Sequence, residues 1–220
     1  MRVLATMEPN GGYPVGVVVD ALRASSTIVT ALALGAEAIV PLTSPRELRD
    51  ADGPTIGERH GKKLDIADYG NSPTELLRNP EGIEGETVYM VTTNGTEAIL
   101  RTAEACERVL IGALLNASAV AAELDRDTCI VEAGHRGRMA IEDAFTAGYL
   151  ARLSRGEPAD RRTRVLIELS KAFQPLDVFR SSRTSHVLEL HGKDRDVDFC
   201  ARVDEFDVVP VFEDGMVVPG

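Results

Sequence analysis

The run Val15-Gly16-Val17-Val18-Val19 constrains this chain more than any other feature. A strand with one wet face alternates apolar and polar residues. An unbroken β-branched run needs apolar cover on both faces, which a sheet held between two helix layers supplies. The pattern recurs at Thr87–Val91, at Arg108–Ile111 and over residues 128–131, with shorter runs at 38–42 and 54–56. Between these runs lie helical stretches: 23–34 closed by Gly35, about 95–105, 116–124 and 139–153. Ser44-Pro45 is expected to open another helix, with Ser44 as cap and Pro45 in the first turn. Strands alternating with helices predict an α/β class, a three-layer α/β/α fold with a largely parallel or mixed sheet.

The 220 residues are expected to form a single domain over 1–220, with a smaller C-terminal lobe from about 157, where Gly156-Glu157-Pro158 interrupts the pattern. Beyond it come an apolar helix near 165–173, a Ser/Arg-rich stretch at 180–185, a helical or extended segment at 197–200 and a strand near 208–211.

Charge narrows the partners. With 24 Lys and Arg against 35 Asp and Glu, the net charge is −11. That argues against sequence-independent binding to nucleic acid or to an anionic membrane, both of which need clustered cations. A small anion would require a local positive site or a bound cation. A solvated acidic surface suited to high salt explains the same charge without reference to any site. The three cysteines, Cys106, Cys129 and Cys200, form no CxxC pair, so neither a zinc ribbon nor a thioredoxin-like motif is expected. The N-terminal segment breaks at Pro9-Asn10-Gly11-Gly12, and no apolar run approaches the ~18 residues of a membrane span. A cytoplasmic protein with free thiols is the expectation, and a homodimer the commonest arrangement for one.

Ligands of open α/β sheets bind beyond the carboxyl ends of strands. The first such end reads Asp20-Ala21-Leu22-Arg23-Ala24-Ser25-Ser26-Thr27. Its hydroxyls and helix start suit a phosphate, Arg23 could add a bidentate contact, and Asp20 suits a divalent cation or, second, nucleophilic attack. Equally, one hydroxyl could cap the helix while Asp20 pairs with Arg23. Gly57-Glu58-Arg59 follows a short apolar run; alone, such a pair is usually solvated surface. Asn71-Ser72-Pro73 reads as a turn into a helix. Thr92-Thr93-Asn94-Gly95-Thr96 joins a buried strand to a helix and can present amides and hydroxyls to an anion. One hydroxyl would suffice as a cap, so the surplus favours function. No GxxxxGK[ST] or GxGxxG is present. After 128–131 comes a basic loop, Gly134-His135-Arg136-Gly137-Arg138, then Glu142-Asp143 early in a helix, either complementing its dipole or acting as ligand or base. Hard oxygens without a His/Cys cluster favour Mg²⁺ over zinc. The residues alone therefore point to a Mg²⁺-dependent enzyme acting on a small phosphorylated anion.

These segments, Val19 to Ile28, Gly57-Glu58-Arg59, Gly70-Asn71-Ser72-Pro73, Thr92 to Thr96, and Glu142-Asp143 with Ala147-Gly148, resemble the 2-phosphosulfolactate phosphatase (ComB) family in order and approximate spacing. The resemblance implies Mg²⁺-dependent hydrolysis of 2-phosphosulfolactate to 3-sulfolactate and inorganic phosphate, on the route to coenzyme M. It implies that Asp20, Arg23 and Glu58 are catalytic, and that Asp20, Glu58 and Asp143 hold Mg²⁺ directly or through water. Ser25, Ser26, Thr27, Asn71, Ser72, Thr92, Thr93, Asn94, Gly95 and Thr96 then bind substrate. Arg59, His135, Arg136 and Arg138 are candidates for a sulfonate or carboxylate, or ordinary surface charges. A covalent phosphate on Asp20 ranks second, because position 22 is Leu22 and the DxD pattern is absent. Which of Glu142 and Asp143 faces the site stays open. Two alternatives remain: a phosphatase for another small phosphorylated carboxylic acid, or a non-catalytic anion-binding protein, which the spare carboxylates disfavour.

Overall fold

The computed structural model describes residues 1–135 and 137–220. Its strands are β1 (Arg2–Thr6), β2 (Val15–Val19), β3 (Ala38–Pro41), β4 (Thr55–Arg59), β5 (Lys62–Lys63), β6 (Thr87–Val91), β7 (Arg108–Ile111), β8 (Thr128–Glu132), β9 (Glu157–Pro158), β10 (Pro210–Glu213) and β11 (Met216–Pro219). Its helices are α1 (Ala24–Ala33), α2 (Pro73–Leu76), α3 (Gly95–Ala105), α4 (Ala117–Ala122), α5 (Ile141–Leu153), α6 (Arg161–Ala172), α7 (Pro175–Arg180), α8 (Arg183–Leu190) and α9 (Asp194–Cys200).

The strands form one mixed, largely parallel sheet in the order β5-β4-β6-β3-β11-β10-β7-β2-β8-β1-β9. Every residue of β2 is buried, as the continuous run requires. Val15, Val17 and Val19 face one apolar cluster with α4 to α9, while Val18 faces a second with α1, α2 and α3. Strand periodicity of two thus serves two helix layers at once, giving the α/β/α arrangement.

The sheet contains two parallel blocks. β4, β6 and β3 form one; β7, β2, β8, β1 and β9 form the other. The C-terminal hairpin β10–β11 joins them through antiparallel pairings on both sides. Three successive antiparallel steps set the two blocks in opposite senses along the sheet. Their carboxyl ends therefore do not lie along one straight edge.

Some local expectations change. Ser44 Oγ does accept the Arg46 N–H at 3.3 Å, but only a short 3-10 turn, Glu47–Asp50, follows. Gly53-Pro54 leaves no length for a helix. The helix expected over 116–124 begins as a 3-10 turn, Leu114–Asn116, and its α-helical part is Ala117–Ala122. β1 and β11 were not expected; both are four or five residues long, lie near the chain ends and are partly exposed.

The segment beyond Gly156 is mostly helical and shares its core with the sheet: Leu166, Phe179, Leu188 and Val197 belong to the cluster of Val3, Val17 and Phe145. Helices α5 and α6 approach so closely that a Cβ built at Gly148 would lie 2.2 Å from the Leu166 carbonyl oxygen. Glycine in a helix interior costs roughly 1 kcal/mol relative to alanine, so its presence here answers a packing demand. Gly148→Ala should lower unfolding stability by about 1–3 kcal/mol despite the better helix propensity. Denaturant titration reads this; unchanged or increased stability would contradict the close approach.

Candidate functional site

Asp20 follows the last residue of β2, where the chain turns into α1. Its Oδ1 accepts the Ala24 N–H at 3.2 Å, and its carbonyl accepts the Ser25 N–H at 2.9 Å. Asp20 thus satisfies amides of the helix start. The following hydroxyls serve the turn. Ser25 Oγ accepts the Asp20 N–H at 2.9 Å and donates to the Val18 carbonyl at 3.2 Å; Ser26 Oγ donates to the Ala21 carbonyl at 2.9 Å. Thr27 Oγ1 is buried without a hydrogen-bond partner among the described residues. None of the three lines the adjoining cavity, and none caps α1, whose cap position is Arg23.

Arg23 does not pair with Asp20. Its Nη1 donates to Asp196 Oδ2 on α9 at 2.5 Å, with Arg23 3% and Asp196 0% exposed. Asp196 Oδ1 accepts the Ser72 hydroxyl at 2.8 Å, the Thr74 hydroxyl at 2.5 Å and the Thr74 N–H at 3.3 Å. Ser72 also caps α2, accepting the Glu75 N–H at 3.3 Å. One carboxylate 173 residues away in sequence therefore fixes the Arg23 guanidinium and ties α2 to α9.

Glu58, in β4, is held by the Thr92–Thr96 loop. Its carboxylate accepts the Thr93 N–H at 3.2 Å, the Thr93 hydroxyl at 3.0 Å and the Gly61 N–H at 2.5 Å. Thr92 and Thr96 brace the loop reciprocally, each hydroxyl accepting the other's N–H, at 3.2 and 3.4 Å. Gly95 is required by proximity: a Cβ there would meet Ala24 Cβ at 2.3 Å and Asp20 Oδ2 at 2.8 Å. The missing side chain lets this loop reach Asp20 across the sheet.

These segments enclose a cavity of about 150 Å³. Asp20, Arg23, Glu58, Asn71, Thr93 and Asn94 line it, joined by Leu22, His60, Gly61 and His135. Helix α8 closes the remaining side with Arg183, Thr184, Val187 and Leu188. Of the other expected residues, Ser72, Thr92, Gly95 and Thr96 stand behind the wall as supports. Arg59 and Arg138 do not line the cavity, and Arg136 lies outside the described residues.

Asp143 sits beneath Asp20. Its Oδ1 accepts the Ala21 N–H at 2.8 Å and its Oδ2 the Gly134 N–H at 2.9 Å. Neither it nor Glu142 lines the cavity; the side chains of Thr184 and Ser182 lie near Glu142 and favour its charged form. Burial, with the charges of Glu58 and Glu142, pushes the Asp20 carboxyl up to about 7 against the pull of the Ala24 amide and Arg23. Burial raises Asp143 well above the ordinary carboxylate range, and the charges of Asp20 and Glu142 add to it. Burial also raises Glu142. Such crowding is relieved by protons or by a cation.

A hard divalent ion fits the donor set. Asn71 Oδ1 is buried, belongs to the cavity wall and has no hydrogen-bond partner among the described residues; Asp20 Oδ2 accepts no hydrogen bond there either. No three acidic, histidine or cysteine side chains among the described residues gather closely enough to hold an ion by themselves. Mg²⁺ needs no such cage, since one or two carboxylates with water and phosphate oxygens complete its shell.

Sequence reasoning missed Asp196, His60, Gly61 and the α8 residues Arg183 and Thr184. The Ser/Arg-rich stretch that runs into α8 was a visible signal, with Ser182 as cap accepting the Ser185 N–H at 2.9 Å. Asp196 carried none, being one of two acids in Lys193-Asp194-Arg195-Asp196.

Comparison with known proteins places these residues in context. A family model described as 2-phosphosulpholactate phosphatase matches residues 5–215. A probable 2-phosphosulfolactate phosphatase from Caldanaerobacter subterraneus subsp. tengcongensis is 37% identical, covering 91% of this chain and 88% of the relative. One from Thermus thermophilus is 38% identical, covering 90% and 88%. The 2-phosphosulfolactate phosphatase of Methanocaldococcus jannaschii is 35% identical, covering 90% and 89%. The chain belongs to the 2-phosphosulpholactate phosphatase family.

Proposed function

We propose that this protein is a Mg²⁺-dependent phosphatase that hydrolyses the phosphate monoester of 2-phosphosulfolactate, releasing 3-sulfolactate and inorganic phosphate in the cytoplasm, a step toward coenzyme M. One observation carries the reading: four of the segments that mark the family meet at a single cavity, where Asp20, Arg23, Glu58, Asn71, Thr93 and Asn94 stand together. At about 150 Å³ the cavity is small beside the roughly 300–1,000 Å³ of drug-sized sites, which favours a compact metabolite. No described helix is long and apolar enough to cross a membrane.

Asp20 and Glu58 are the residues that would hold Mg²⁺, with Asn71 Oδ1 beside them and Asp143 supporting from below. Bound there, the ion supplies positive charge that offsets the carboxylates and stabilises a dianionic phosphoryl group. The protein does the rest. Arg23, immobilised by Asp196, offers its remaining N–H groups to phosphoryl oxygens, a charge-assisted contact that strengthens as negative charge develops. The amino end of α3, presented by Thr93 and Asn94, adds a favourable dipole. Whichever carboxylate oxygen of Asp20 or Glu58 the ion leaves free would take the proton of the attacking water. Leu22, Val187 and Leu188 limit water access on the α8 side.

The direct test is phosphate release from 2-phosphosulfolactate beside phospholactate and phosphoglycolate, with Mg²⁺ and with EDTA. The expected result is Mg²⁺-dependent release, fastest with the sulfonate, and a fall of about 10²-fold or more in Asp20→Asn. No release from any ester, or full activity of that variant, would overturn the reading. Asp196→Asn should lower kcat/KM more than about tenfold, because Arg23 loses its orientation, and should cost about 3–5 kcal/mol of stability as a broken buried pair. Asp198→Asn, removing the exposed partner of Arg180, should change neither; equal effects of the two would sink the positioning role of Asp196.

A further inference from the structure

We propose that Cys106 and Cys129 form an intramolecular disulfide when the protein meets a peroxide, a modification site at the end of the sheet remote from the cavity. The three cysteines are free thiols in this structure, but two of them touch: the Cys106 and Cys129 sulfurs are 3.6 Å apart. Cys129 is the second residue of β8 and Cys106 the residue that ends α3. Gly16 makes the meeting geometrically feasible. It lies directly beside Cys129 in the β2–β8 ladder, and a Cβ there would stand 2.4 Å from Thr102 Cγ2 and 3.1 Å from Cys106 Sγ. With no side chain at that position, the end of α3 settles onto β2 and lays one sulfur against the other.

The surroundings confine the pair. Tyr13, Leu4 and Val131 pack around it; Cys129 is buried and Cys106 half-buried, so the pair opens at Cys106 and a small oxidant would enter there. Closing the bond needs the sulfurs to approach by roughly 1.5 Å. Cys106 sits in extended backbone just past the helix, where the chain can give. The contact between the two sulfurs draws Cys129 down to about 7, and that same contact with burial pushes Cys106 up. One sulfur is therefore available as thiolate near neutral pH.

The chemistry balances. The thiolate attacks one peroxide oxygen, the O–O bond breaks, and the departing oxygen leaves as water after taking a proton. The neighbouring sulfur then attacks the resulting sulfenic sulfur, losing its own proton; the S–O bond breaks and a second water leaves. Two thiols are oxidised by two electrons and one hydrogen peroxide is reduced to two waters. Cys200, buried on α9 in another part of the core, takes no part.

The test treats the whole protein with hydrogen peroxide, blocks remaining thiols under denaturing conditions and maps the peptides by mass spectrometry. The expected product is one linked peptide pair joining Cys106 to Cys129, lighter than the free peptides by two hydrogen atoms, with Cys200 alone alkylated. Its unfolding midpoint should rise by several degrees, and reductant should reverse the change. Cys106→Ser and Cys129→Ser should each abolish the linked pair and the rise. Independent alkylation of both cysteines after treatment, conversion of either to sulfinic or sulfonic acid without a bridge, or linkage only between molecules would overturn the proposal.

Discussion

Buried like charge governs this end of the molecule. Asp20, Glu58, Glu142 and Asp143 are each 7% exposed or less, and burial, with repulsion from neighbouring carboxylates, raises Asp20 and Asp143. Isolated carboxylates in such a place would neutralise or unfold the region. The fold instead supplies backbone amides: Ala24 to Asp20, Gly61 and Thr93 to Glu58, Ala21 and Gly134 to Asp143. Each donor comes from a turn just beyond a strand, so the turns exist to host the acids. Hydrogen bonding alone leaves Asp20 raised, a residual stress that the proposed divalent cation would relieve.

The same logic explains why the hydroxyl-rich segments behave differently from one another. Ser25 and Ser26 bond backbone groups of the β2–α1 turn and shape it, whereas Thr93 bonds Glu58 and also faces the cavity. A hydroxyl beside a strand end satisfies the chain first and a ligand only afterwards. The buried run of β2 and the small polar loop after β6 were legible because continuous apolarity and clustered Thr/Asn/Gly have direct physical meanings. The pair Glu58-Arg59 was ambiguous alone, and only the pairing of β4 with β6 brings Glu58 to Thr93.

What local pattern could not convey is the contribution from the far end of the chain. Asp196 anchors Arg23, and α8 walls the cavity with Arg183 and Thr184. The hairpin β10–β11, inserted between two parallel blocks, reverses the sense of half the sheet. Neither feature has a periodicity of its own: one is a single ion pair, the other a pairing choice between distant strands. Alternating β and α segments suggested a largely parallel or mixed sheet, which the structure has, but not where the antiparallel steps fall. The approach of the β6–α3 loop to Asp20 rests instead on Gly95, whose absent side chain admits that carboxylate.

The most direct measurement is calorimetric titration of Mg²⁺ into the protein at about pH 6, below the raised Asp20 value of about 7, in two buffers of different ionisation heat. A carboxyl with a raised pKa keeps its proton in the ordered, ion-free protein, and a cation favours the ionised form. Binding should therefore saturate and expel protons, with fewer released at higher pH, where the group is already ionised, and fewer from Asp20→Asn. Saturable binding without proton release, or no binding in the wild type, would contradict the claim that these carboxylates are gathered for a cation.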